Sequence, residues 1–415
     1  MLNNWAPSTP PRRSRKAVLL VVVGGLLIVG GVAFSTHKAV SKAVFAAPRN
    51  QPVAGWTINV AGDKTNGQTF GGRFAPGHLF FVPAGAAFSV RSEPECAAGM
   101  FLERLPAGAW DHDGGELNLA VPYRNAPSAE GFKQDCRAPL HPGLYHLFWQ
   151  DADAPGRSLS LDVLSLTKAE THVQGGKTFV KVHGKSIGAY SDPAESSIRR
   201  VRENAPLYQP PLYFATLTQE TIRLKLGEDF DLGQLVAFKD YHGPDGKKVY
   251  TTERHTDVLP LRAELIDKLV KLRQRLRDKG VKVTRFWITS GFRTPEYNHS
   301  IGGAAYSRHC YGDAVDLCID EDGDKRMDDL NGDGRIDRKD GIVIANACRE
   351  LEAEGAVVAG GIGVYEWDSD DSVRSHVHMD CRGFVTRWGQ VGAGRYKKSF
   401  VWWPKAEFQE DESGE

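Results

Sequence analysis

The sequence predicts an α+β protein in which a domain built on an antiparallel sheet with flanking helices follows a small β-sandwich and an N-terminal transmembrane helix. Three stretches carry that prediction. An uncharged apolar run fills residues 17–34, short alternating runs broken by Gly, Pro and Asp fill residues 53–173, and leucines at helical spacing precede a strand and a His/Asp cluster within residues 256–403. At 415 residues the chain has room for more than one core. Its 52 basic and 52 acidic residues cancel, which removes the attraction a nucleic-acid partner would exploit.

The first element is membrane-directed. Arg12, Arg13, Arg15 and Lys16 close a basic tail of residues 1–16 and favour an N-inside orientation for the apolar run that follows. Residues 17–34 read as a signal-anchor, with Gly31-Val32-Ala33 as a small-x-small cleavage site if the segment is instead removed. Either way the chain beyond the linker at residues 35–52 is expected outside the cytoplasm. Disulfides are then chemically reasonable, and Cys96 with Cys136 is the expected pair.

Within residues 53–173, Pro142 to Trp149 reads as a strand entered through a corner tyrosine, Tyr145, and Ser158 to Leu164 as the last strand of the sandwich. Nothing in it carries chemistry, so it reads as a packing or spacer module. Residues 174–255 form a lead-in subdomain with an extended segment at Tyr208 to Tyr213. In the third region Leu261, Leu265, Leu269, Leu272 and Leu276 form one helical face, ended by Gly280. Val281 to Thr289 is the next strand, and it delivers the turn Ser290 to Arg293 at its end.

The chemistry concentrates after that turn. His309 and Asp316 lie seven residues apart, with Gly312 between them where the chain can turn sharply, and both ligand types suit Zn²⁺. Alternation from Asp313 to Asp320 sets Val315, Leu317 and Ile319 on one face and Asp316 and Cys318 on the other, which predicts a half-buried strand. A further ligand must come from elsewhere. His376, His378 and Asp380 share one face of a short strand and are the candidates. Cys310 reads as a small buried residue rather than a thiolate ligand.

Ser307-x-His309-x-x-Gly312-x-Ala314-x-Asp316, followed by His376-x-His378-x-Asp380, resembles the zinc D-alanyl-D-alanine carboxypeptidase family, grouped with lysostaphin-type peptidases and the hedgehog signalling domain. Ser290-Gly291-Phe292-Arg293-Thr294 with Asn298 matches the family's turn, and Val377 to Gly383 with Arg387-Trp388 matches its closing strand. The resemblance covers about residues 255–390. It implies a hedgehog/D-Ala-D-Ala peptidase-like zinc domain, with zinc held by His309, Asp316 and His378 and a fourth position kept for water. It implies Arg293 as the group that binds a substrate carboxylate or the developing oxyanion. The implied substrates are peptidoglycan stem peptides, cut at D-alanine by a carboxypeptidase or an endopeptidase at the bacterial inner membrane, facing the periplasm or cell-wall space.

One departure bears on mechanism. Some branches of the family carry an acidic general base three residues before the last histidine, where this chain has Ser375. His376 matches the His-x-His branch and is the chosen base, Asp380 is the carboxylate that orients a histidine, and Glu366 and Asp368 are outside candidates for the base. The competing reading is a zinc-containing cell-wall binding module without catalysis, which Ser375 favours and the intact ligand set opposes.

The insertion at residues 320–340 adds a second metal expectation. Asp329, Asn331, Asp333, Arg335, Asp337 and Asp340 fit a dockerin- or EF-hand-like calcium loop, Arg335 through its carbonyl and Asp340 in place of the usual Glu. Asp320, Asp322, Asp324 and Asp328 repeat the spacing, with Lys325 where glycine is wanted. Calcium here would staple the insertion so that the ligand strands keep their register. Residues 404–415 read as a solvated acidic tail.

Overall fold

Leucine spacing and a run of β-branched residues build the region that matters most. Helix α1 (Ala263–Asp278) buries Leu265, Leu269, Leu272 and Leu276, and Gly280 leaves it at φ +82°. Strand β1 (Phe286–Ser290) follows, then the short helix α2 (Pro295–Ser300), strand β2 (Ala314–Ile319), helix α3 (Arg338–Ala353) and strands β3 (Gly361–Glu366), β4 (His376–Asp380) and β5 (Thr386–Val391). In this computed structural model the described residues are 56–65, 68–73, 79–92, 98–104, 123–124, 132–138, 140–151, 158–219, 221–226, 230–242, 248–366, 375–391 and 401–404.

The five strands form one sheet in the order β1-β2-β4-β3-β5. Three neighbouring pairs are antiparallel, but β3 and β5 run parallel, so the expected antiparallel sheet is a mixed one. The chain reaches β5 from β4 through the turn at Cys381 to Val385, which returns it past β3 in the same direction. On one face Val315, Leu317, Val377, Met379, Ile362 and Val364 are buried against α3, which in turn packs on α1. Gly341 lets α3 close on the sheet, because a Cβ there would lie 2.9 Å from Val364 Cγ1.

Two expectations about these strands change. Strand β1 starts at Phe286 rather than Val281, since the Val283 carbonyl accepts from Arg277 and the Thr284 amide donates to Glu321 instead of entering the sheet. Strand β2 is buried on both faces from Ala314 to Ile319. Its polar face is not open to solvent but roofed by the turns that carry the candidate site.

The N-terminal strands form two further sheets. Gln68–Arg73, Trp56–Thr65, Ala87–Ser92 and Phe132–Arg137 make one, and Ala98–Arg104, Gly143–Asp151 and Ser158–Lys168 lie in the other. Tyr145 donates its hydroxyl to the His141 carbonyl at 2.9 Å, a tyrosine-corner contact. Ser158–Lys168 then pairs with Tyr213–Thr216, which pairs with Val258–Leu259, so a single sheet crosses the expected boundaries at residues 173 and 255. Buried Gln68 fastens this junction: its amide donates to the Tyr213 carbonyl and its carbonyl accepts from the Leu212 and Tyr213 amides. Asn50–Glu415 accordingly forms one compact unit.

The apolar run at residues 17–34, the Cys96 side chain of the expected disulfide and the acidic tail beyond residue 404 lie outside the described residues. Among the described residues, no helix is long and apolar enough to cross a membrane. Cys310, Cys318, Cys348 and Cys381 are free thiols.

Candidate metal centre

One transverse row of the sheet organises the site. Ser290 of β1 faces Asp316 of β2, which faces His378 of β4, then Gly363 of β3 and Trp388 of β5. A single register therefore puts a carboxylate beside an imidazole on the roofed face. His309 reaches them from above, on the short turn Arg308–Tyr311. Gly312 ends that turn at φ +72°, and a Cβ there would lie 2.5 Å from the Pro260 carbonyl, so the site between the two ligands requires glycine. The buried Arg308–Asp313 ion pair closes the same turn around His309.

The three candidate ligand atoms form a near-equilateral triangle. His309 Nε2 lies 3.2 Å from Asp316 Oδ1 and 3.2 Å from His378 Nδ1, and His378 Nδ1 lies 2.9 Å from Asp316 Oδ1. A tetrahedral zinc with bonds near 2.0 Å has ligand–ligand edges of about 3.3 Å. The triangle is one face of that tetrahedron, slightly contracted, and it leaves the fourth vertex for a non-protein ligand. His309, Asp316 and His378 can thus hold a metal.

Each ligand is aimed by a partner behind it. His309 Nδ1 donates to the Gly291 carbonyl at 2.7 Å, which leaves Nε2 for the metal. His378 Nε2 meets Asp380 Oδ2 at 3.2 Å, which leaves Nδ1. Asp316 gives Oδ1 to the triangle while Oδ2 accepts from Arg293 Nη2 at 2.7 Å. Asp380 is fully buried and accepts from Arg382 and from the Gly361 amide as well as from His378.

The ionisation states suit ligation. Burial, seconded by the Arg293 charge, pushes His309 down to about 4, so its ring is neutral at neutral pH. Burial opposes a charge on Asp316 and on Asp380. Neighbouring histidines outweigh it at Asp316, and Arg382 and His378 outweigh it at Asp380, so both stay ionised with pKa values well below the usual carboxylate range. Burial also disfavours charge on His378, but its hydrogen bonds to Asp316 and Asp380 outweigh this and raise its pKa.

The other predicted catalytic residues are placed as follows. His376 shares the site face with His378, and its Nε2 lies 3.9 Å from Asp316 Oδ1. Arg293 sits at the rim, with Nε donating to Ser290 Oγ at 2.9 Å in addition to its bond with Asp316. Asp380 lies behind His378. Cys310 is buried outside the ligand set. Glu366, at the end of β3, faces Arg338 at 3.7 Å, and Asp368 lies outside the described residues.

Four supporting groups were not legible as site residues. The Leu235 carbonyl accepts from the Phe292 amide and the Ala237 amide donates to the Phe292 carbonyl, so the lead-in region clamps the Ser290 to Arg293 turn. His255 accepts from the Thr294 amide at 2.9 Å and stacks on Tyr297 with ring centroids 4.3 Å apart. Trp388 lies 5.1 Å from the His378 ring, and Tyr365 stacks on His376 at 4.5 Å. The glycines at alternate positions 361 and 363, followed by Tyr365, were the one sequence signal for this pair, since small residues on one strand face make room for a large neighbour.

The calcium candidates form two consecutive loops of the same backbone shape. In each, the leading aspartate accepts from two backbone amides: Asp320 from Gly323 and Lys325, Asp329 from Gly332 and Gly334. Lys325 adopts φ +69°, the conformation Gly334 takes at the equivalent position. The acidic groups converge differently from expectation. Asp320, Asp322 and Asp328 come together, whereas Asp340 is turned to the amides of Leu330, Asn331 and Asp337 and caps α3, and Asp333 pairs with Lys339. Arg335 donates its amide to Asp333, and Asp337 caps α3 with Asp340.

Fold and site together define a candidate centre for a tetrahedral metal ion, with His309, Asp316 and His378 as its protein ligands. A family model described as Peptidase M15 matches residues 245–336, a span that contains Arg293, His309 and Asp316 and stops short of His378. The match supports a zinc peptidase of the D-alanyl-D-alanine carboxypeptidase type. No curated protein matches the chain.

Proposed function

We propose that this chain is a zinc-dependent peptidase that hydrolyses peptidoglycan stem peptides at D-alanine, as a D,D-carboxypeptidase or D,D-endopeptidase. The observation that carries the reading is the ligand triangle with its open vertex, bordered by His376 and Arg293. When bound, zinc supplies Lewis-acid polarisation of the scissile carbonyl and lowers the pKa of the attacking water to about 7. His376 takes the proton from that water and returns it to the leaving amine. Arg293 binds the substrate carboxylate or the developing negative charge, and its bond to Asp316 holds it at the rim until substrate arrives. Asp380 keeps His378 in the tautomer that offers Nδ1.

The remaining parts of the proposal concern setting. The apolar run at residues 17–34 anchors the chain in the bacterial inner membrane with its bulk in the periplasm or cell-wall space, where such peptides occur. Calcium in the 320–340 insertion steadies the connection between β2 and α3. The second reading, a zinc-containing wall-binding module, rests on Ser375 standing where an acidic base is found in other branches.

The test is to incubate the zinc- and calcium-supplied full chain with purified muropeptides and read products by mass spectrometry, with His309→Ala as control. Loss of one alanine mass from pentapeptides identifies a carboxypeptidase, and dimers converted to monomers identify an endopeptidase. Unchanged muropeptides would leave the binding-module reading in its place.

A further inference from the structure

The reaction proposed above develops negative charge on the scissile carbonyl oxygen, and the structure holds a hydrogen-bond donor not yet given a task. Tyr365 stands on β3 directly opposite His376 of β4, and their rings stack with centroids 4.5 Å apart and planes inclined by 18°. His376 Nε2 is itself 3.9 Å from Asp316 Oδ1, so the tyrosine ring packs on the imidazole that stands next to the ligand triangle.

Among the described residues, the tyrosine oxygen is held from one side only. Trp388 lies across Gly361 and Gly363, where added Cβ atoms would come within 2.9 Å and 2.2 Å of its ring, and its Nε1 donates to Tyr365 Oη at 2.8 Å. An indole N–H only donates, so this bond uses a lone pair of the hydroxyl and leaves the hydroxyl proton uncommitted. Among the described residues nothing accepts that proton. A half-buried hydroxyl fixed as an acceptor with its proton unpaired is an arrangement that calls for a partner. Arg293, the other donor named at the site, commits Nε to Ser290 and one Nη2 proton to Asp316, and its remaining N–H groups serve the substrate beside the hydroxyl.

We propose that Tyr365 is a catalytic residue whose hydroxyl donates a hydrogen bond to the scissile carbonyl oxygen as charge develops on it, with Trp388 as the residue that positions it. The inference rests on the hydrolytic reading of the site. No proton is transferred: a phenol with an ordinary pKa of about 10 keeps its proton at neutral pH, and the bond strengthens as the oxygen gains charge. The ligand class it selects is therefore a tetrahedral, anionic form of the peptide group.

The experiment compares the zinc-loaded full chain with its Tyr365→Phe variant, which keeps the ring and its stack on His376. Two quantities are read: kcat and KM on an acetyl-Lys-D-Ala-D-Ala peptide, and the Kd of a phosphinate isostere of the D-Ala-D-Ala unit. The expected result is a kcat lower by about 10²-fold with KM within about twofold, and a phosphinate Kd weakened by a similar factor, with zinc content and Tm unchanged. Wild type that cleaves the peptide and binds the phosphinate, with a variant that matches it within about threefold, overturns this inference and leaves the hydrolytic reading standing. Wild type that binds no phosphinate and cleaves neither this peptide nor cross-linked muropeptide dimers overturns both. A variant that loses zinc or melts early would show a structural role for the hydroxyl and also overturn it.

Discussion

Asp380→Asn is the substitution that most directly tests how the metal centre is held. Asp380 is fully buried, and its two oxygens accept from His378, from the Gly361 amide and from Arg382, which is itself 9% exposed. An asparagine of the same shape loses the negative charge opposite Arg382. Leaving one partner of a buried ion pair uncompensated costs about 3–5 kcal/mol, and the retained amide oxygen should keep the loss near 3 kcal/mol. In a cooperative unit of this size that lowers Tm by about 4 °C. The second consequence is chemical. An amide N–H turned toward His378 Nε2 would favour the tautomer protonated on Nδ1, the atom that completes the ligand triangle. Zinc affinity should therefore fall by about 10–100-fold, the usual effect of removing a carboxylate behind a ligating histidine. Competition with a fluorescent zinc chelator, run beside thermal denaturation of the apo and zinc-loaded forms, measures both. Zinc affinity within threefold of wild type would refute the tautomer argument, whatever happened to Tm.

Three further predictions test the supports around the site. Burial pushes His255 down to about 4 from an ordinary value of 6.5, so its neutral ring contributes stability above pH 6.5 that is lost as pH falls toward 4, about 3 kcal/mol in all; His255→Gln should lose that part of the pH dependence in urea titrations between pH 7 and 4, and an unchanged slope would count against it. Gln68→Ala removes hydrogen bonds to Leu212 and Tyr213 from a fully buried position and should cost about 3 kcal/mol in urea-unfolding free energy; a loss under about 1 kcal/mol would mean the strands hold the junction without it. Gly363→Ala puts a Cβ 2.2 Å from the Trp388 ring, so the indole must move away from Tyr365 and His378, with about 10-fold lower kcat and about 1–3 kcal/mol lower stability; adding Trp388→Phe should recover stability but not kcat, and recovery of neither would show that the clash lies elsewhere.

The residues that could hold a metal were legible because chemistry restricts them locally. An imidazole and a carboxylate separated by a glycine that must turn, and a strand with two histidines and an aspartate on one face, can be read without knowing the fold. Burial of β2 on both faces was not legible, because its polar face is covered by the turns at Ser290 to Arg293 and Arg308 to Tyr311, and strand alternation does not say over which face a preceding turn folds. The candidate calcium loop illustrates the limit from the other side. Its spacing was clear, yet Asp340 is also the third residue of α3, and there the amides of the helix start compete for the carboxylate that the spacing assigns to an ion.

The supports follow a different rule from the ligands. His255, the Leu235 to Ala237 segment, Tyr365 and Trp388 act through register and packing, so apart from the alternate glycines before Tyr365 little in their own neighbourhood marks them. Their placement depends on which strand lies next to which. The parallel return of β5 beside β3 is what brings Trp388 level with Gly363 and His378, and an antiparallel pairing would have run the edge strand past β3 in the opposite direction. The mixed sheet thus has a chemical consequence. It sets an indole behind the one histidine that must present Nδ1, and the same indole fixes the hydroxyl beside His376. Ligand identity is written in the motif, whereas ligand orientation is written in the topology.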